Sequence, residues 1–156
     1  MKRLFFLIFV IISVPIAVFC LVFSLVETRQ EKVLDSLGSY ETERIWSHGY
    51  QDVTEFGMYS YASVKIDNHQ YFTAISETDI ETICTFIDDF EEWIDAIEHN
   101  DPNDELVLNY AFDRSMIDTN DYFYIYEAEN IQKFHNYDVW FFDSQTKVLY
   151  YFHNNI

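Results

Sequence analysis

Residues Leu4 to Val26 form an almost unbroken apolar run, preceded by Lys2 and Arg3 and followed at once by Glu27. Only Ser13, Pro15 and Ser24 interrupt it. At a helical rise of ~1.5 Å per residue the run spans roughly 34 Å, enough to cross a hydrocarbon core of ~30 Å with some tilt. The sequence therefore predicts a transmembrane signal-anchor over residues 1–26. A kink is expected near Pro15, which a membrane helix tolerates because neighbouring groups absorb the lost backbone bond.

A cleaved signal peptide is the rival reading, but its apolar core is ~7–15 residues and ends at small residues. This run is longer. Val22 and Ser24 make a weak cleavage pair, and Cys20 follows Phe19, where a lipoprotein signal places a small residue. Lys2 and Arg3 lie on one side of the run, whereas Glu27, Arg29, Glu31 and Lys32 cancel on the other. The positive-inside rule then leaves the N-terminus in the cytoplasm and the domain that follows outside the plasma membrane.

The chain carries 9 Lys+Arg and 27 Asp+Glu. Setting aside Lys2 and Arg3 leaves seven basic residues against the same 27 acidic ones, a net charge of −20 over residues 27–156. Such a domain repels nucleic acid and anionic lipid and attracts cations or a basic protein partner. Acidity alone suggests disorder, but disorder requires few aromatics, and this chain has 12 Tyr, 15 Phe and 3 Trp. One folded domain, held by packing, is the expectation. Cys20 lies in the apolar run and Cys84 is alone in the domain, so no disulfide within the domain is available. The absence of any Asn-x-Ser/Thr site points towards a bacterial envelope.

From Glu27 to Leu37 the chain reads as a helical stalk over residues 27–38 that stops at Gly38. The remainder, residues 39–156, reads as the acidic extracytoplasmic domain. Ser39 to Phe56 shows no sustained period, and Met58 to Ile66 reads as a strand. The clearest element starts at Ser76, with Asp79 placed to reach back three residues later, and runs to about Glu98. Ile80, Ile83, Cys84, Phe86, Ile87, Phe90, Trp93, Ile94 and Ile97 share one arc, whereas Glu81, Asp88, Asp89, Glu91, Glu92 and Asp95 lie opposite as a solvated face. Glu105 to Phe112 alternates and predicts a strand, as does Tyr122 to Tyr126. Tyr137 to Phe142 and Val148 to Phe152 predict a hairpin joined by residues 143–147. The fold class is α+β: a single N-terminal transmembrane helix, then one long amphipathic helix packed on an antiparallel sheet of about four to five strands.

Pairing Phe142 with Val148 puts Trp140, Phe142, Val148, Tyr150 and Phe152 on one face of the hairpin and Val139, Phe141, Leu149 and Tyr151 on the other. Both faces are apolar, so two covering layers are needed, while the sequence offers one convincing helix after the stalk. Residues 40–75, rich in aromatics, are expected to fold back over the second face. The alternative leaves part of that face open as a groove, because Tyr and Trp supply contact area at low entropic cost. Its candidate partner surface is Tyr122, Tyr124, Tyr126, Trp140 and Tyr150.

Catalytic and cofactor chemistry finds little support. Asp101, Asn103 and Glu105 alternate like the start of a calcium loop, but Leu106 stands where glycine is needed and Phe112 where the bidentate Glu belongs. The five histidines, His48, His69, His99, His135 and His153, show no zinc spacing. Cys84 sits on the helix's apolar arc, as a core residue does. Gly38, Gly49 and Gly57 form neither a phosphate loop nor a nucleophile elbow. No catalytic, cofactor or metal residue is assigned, and no enzyme activity is expected. The leading expectation is a membrane-tethered protein-binding module of immunity or inhibitor type with a basic partner. A structural or assembly subunit of a membrane complex is the alternative.

Overall fold

The computed structural model describes residues 28–49, 53–127 and 136–155. The Leu4–Val26 run lies outside them. Among the described residues no helix is long and apolar enough to cross a membrane. The chain divides between Ser36 and Leu37 into two compact units.

Helix α1, Arg29–Leu37, belongs to the first unit except for its last residue, Leu37, which falls just past the boundary. Thr28 caps it: the Thr28 amide donates to the Glu31 carboxylate at 2.7 Å, and the Glu31 amide donates to Thr28 Oγ1 at 3.1 Å. Gly38 follows with φ +129°, a conformation that stops a helix and that L side chains rarely adopt.

The second unit is one antiparallel sheet with a long helix packed on it. Its strands are β1 Tyr40–His48, β2 Val53–Tyr61, β3 Thr73–Ala74, β4 Tyr122–Glu127, β5 Asn136–Asp143 and β6 Val148–Asn155. The order across the sheet is β1-β2-β6-β5-β4-β3. The meander β4-β5-β6 is as the sequence suggests, and the hairpin β1-β2 extends it beside β6. The described residues thus supply six strands rather than four to five. The additional ones are β1, from the stretch without a readable period, and the two-residue β3. β2 spans Val53–Tyr61, earlier than the expected Met58–Ile66. Its residues are buried on both faces, Thr54 and Phe56 on one and Gly57, Tyr59 and Tyr61 on the other, which erases the alternation that marks a half-exposed strand.

Helix α2, Glu77–Asn100, begins where Ser76 predicts it, with the Asp79 carboxylate accepting the Ser76 amide at 2.9 Å. It buries Ile83, Phe86, Ile87, Phe90, Ile94 and Ile97 against Phe56, Tyr137, Val139, Phe141, Tyr150 and Phe152. Ring contacts lock this core: Phe90 and Phe112 each meet Phe152 edge-on, with centroids 5.4 and 5.0 Å apart.

The expected strand at Glu105–Phe112 is instead a short helix, α3, Glu105–Asn109, followed by extended chain. The Asp104 side chain accepts the Leu106 amide at 2.8 Å and so caps a helical turn. Leu106 and Tyr110, four residues apart, then face the core together, while Leu108 is left 65% exposed. An alternating strand would have buried Leu106 and Leu108 on the same side.

The hairpin register also differs from expectation. Asp143 pairs with Val148 and Phe142 with Leu149. Asp143 stays in the ladder because its carboxylate accepts the Gln145 amide at 2.7 Å and the Thr146 hydroxyl at 2.6 Å. Lys147, at φ 64°, then turns the chain and donates its amide to the Asp143 carbonyl. A slip of one residue exchanges faces. Val139, Phe141, Tyr150 and Phe152 face α2, whereas Trp140, Phe142, Leu149 and Tyr151 share the second face.

Candidate functional site

The candidate partner residues do not form one surface. The register sets Tyr122 opposite Phe142, Tyr124 opposite Trp140 and Tyr126 opposite Asp138, so the three tyrosines lie on the second face, partly buried. Tyr150 lies on the other side, in the core beneath α2. Trp140 is on the tyrosine face but is 0% exposed, stacked on Tyr124 with centroids 5.1 Å apart. The centre of that face is closed: Phe142, Leu149 and Tyr151 are all buried. Part of the 40–75 stretch contributes, through Tyr61 on Phe142 and through Tyr71 and Phe72 on Tyr124. Trp46 and Phe56 from the same stretch go to the α2 side instead, stacked on each other.

One end of the second face is polar. Asp138, buried on central strand β5, accepts at Oδ1 from the Tyr151 hydroxyl at 2.8 Å and contacts His153 Nδ1 at 2.7 Å. Glu55 stands opposite His153 on β2, and Tyr126 opposite Asp138 on β4. Glu55, His153, Asp138 and Tyr126 therefore form a row across four strands. Burial, and then the Asp138 carboxylate beside it, hold the Tyr151 phenol well above the usual range. Sequence reasoning missed this row, because His153 and Asp138 are fifteen residues apart and only the pairing register joins them.

The acidic helix face is two surfaces. Asp89 and Glu91 are only partly exposed and serve the fold: Tyr137 donates its hydroxyl to Asp89, and Tyr110 donates to Glu91, each at 2.9 Å. Burial, with those carboxylates adding to it, raises both phenols far above their ordinary value. Arg114 ties the chain after α3 to Asp88 and Glu91. The outer strip is different. Glu77, Glu81, Glu92, Asp95 and Glu98 are exposed and make no ion pair among the described residues. They lie within roughly a third of the helix circumference, along ~31 Å of axis, and the Arg114-paired Asp88 and Glu91 fall within the same arc.

Two further carboxylates tie loops. Buried Asp121 accepts the amides of Ser144 at 2.9 Å and Asp118 at 3.1 Å, and burial raises its pKa. Asp104 contacts His48 Nδ1 at 2.7 Å; burial pushes its pKa up, but the bonds from His48 and the Leu106 amide outweigh this and lower it. Among the described residues no group of three His, Cys, Asp or Glu side chains is arranged to hold a metal ion. Cys84 is half-buried at the margin of the core. No family model, curated protein or solved structure matches the chain.

Proposed function

We propose that the chain is a membrane-tethered, extracytoplasmic protein-binding module that engages a basic protein partner, in the manner of an immunity or inhibitor protein. In this reading residues 4–26 span the plasma membrane with the N-terminus in the cytoplasm. The single observation that supports it is the outer strip of α2, five exposed carboxylates with no ion-pair partner among the described residues, on a domain of net charge −20. Such a field accelerates encounter with a cationic protein and weakens as salt screens it. Tyr122, Tyr124 and Tyr126 remain the secondary candidate surface, on the sheet face away from α2. The reading is tested by crosslinking capture of the full-length protein from its own membranes at low and high salt. It expects a basic partner whose capture falls as salt rises; capture unchanged by salt contradicts it.

A further inference from the structure

The two edges of the sheet differ in length. β3 offers two residues, whereas β1 offers nine, and no strand pairs with its outer side among the described residues. Glu41, Thr42, Arg44, Ile45 and Ser47 are exposed along it, Ile45 at 45%. Edge strands are commonly blunted by charges or a bulge, and β1 carries both, with a register shift between Thr42 and Arg44. The placement of its side chains is nevertheless self-complementary. Tyr40 and Ile45 pair with Tyr61 and Gly57 and so share one sheet face, whereas Glu41 and Arg44 pair with Ser60 and Met58 and share the other.

Two antiparallel copies of β1, related by a twofold axis normal to the sheet between Thr42 and Glu43, set Glu41 of each copy opposite Arg44 of the other. The same register sets Tyr40 opposite Ile45, each pair on its own face. A slip of two residues in either direction separates Glu41 from Arg44. We propose that β1 is a self-pairing edge that joins two copies of this chain, antiparallel, into one continuous sheet. The bulge falls at the twofold and interrupts the ladder there, so the flanking pairs carry the contact. Ile45, exposed in the single chain, becomes covered by Tyr40 of the second copy.

This contact is separable from the basic-partner reading by its response to salt. Two domains of charge −20 repel at long range, and salt screens that repulsion more than it screens pairs in contact. Self-association therefore tightens as salt rises, the opposite of binding to a cationic protein. The test is sedimentation velocity of the full-length chain in mild detergent across protein and salt concentration, with far-UV circular dichroism confirming that each variant is folded. Glu41→Arg and Arg44→Glu should each weaken the dimer by roughly tenfold or more, because symmetry makes both pairs like-charged. The double exchange should restore it, and Ile45→Lys should abolish it. A chain that stays monomeric throughout, or a dimer indifferent to these substitutions, overturns the proposal.

Discussion

The two faces of the central strands are built from the same three segments and solve the same burial problem differently. On the α2 side the layer is purely aromatic and aliphatic at its centre, with Phe56, Phe141 and Phe152 meeting Phe90 and Phe112. Its polar groups sit at the rim, where Tyr110 and Tyr137 reach out to helix carboxylates. On the second side Trp140, Phe142, Leu149 and Tyr151 are equally buried, but the row ends in Asp138 and His153. Covering helix and sheet aromatics thus pack the centre of one face, with hydrogen bonds from Tyr110, Tyr137 and Thr54 at its rim. The other couples packing to a hydrogen-bonded carboxylate, whose partners must stay in register for its burial to be tolerated.

The largest effect should come from emptying either layer. Phe152→Ala, beneath α2, should cost about 3–5 kcal/mol in chemical denaturation. Trp140→Ala should cost a similar amount; a loss below ~1 kcal/mol would show that the second face is open. Next comes the polar row. Asp138→Ala leaves the buried Tyr151 hydroxyl and His153 without their acceptor and should cost about 1–3 kcal/mol, whereas Asp138→Asn, which keeps an acceptor, should cost less.

High pH separates the faces more gently. Tyr110, Tyr137 and Tyr151 all have phenols raised above the unfolded value of ~10. A raised folded pKa means their contribution is complete below pH ~10 and lost as pH climbs past it. Phenolate absorbance from these three should thus appear only together with unfolding. Early titration of Tyr151 alone would show that the second face is looser than the first. Smallest of all, Glu81→Gln, Glu92→Gln and Asp95→Asn should each change stability by no more than about 0.5 kcal/mol, since exposed side chains without ion-pair partners hold little in place.

The sequence made the helix legible because capping and a wide apolar arc act locally: Ser76, Asp79 and the arc from Ile80 to Ile97 sit on one element. It made the β4-β5-β6 meander legible for the same reason. What it hid depends on distance. β2 lacks alternation because it is covered on both sides, and a register shift between Thr42 and Arg44 breaks the period of β1. α3 was masked by an alternating Leu106–Leu108 pattern, and its signal was Asp104 acting as a cap. The hairpin register turned on one side chain, Asp143, holding the turn from inside the ladder. That one-residue difference moved Tyr150 into the α2 core and split the candidate surface. The Glu55–His153–Asp138–Tyr126 row had no local signal at all, since each member comes from a different strand.

The proposed contact with a basic partner lies on the outer strip of α2 rather than on the sheet. The most direct test is paired crosslinking capture from native membranes by the wild-type chain, by the Glu81→Gln/Glu92→Gln/Asp95→Asn variant and by Tyr126→Ser. The same basic protein should be captured by wild type and Tyr126→Ser and lost with the α2 variant, although that variant unfolds at the same denaturant concentration. Undiminished capture by the α2 variant would contradict it.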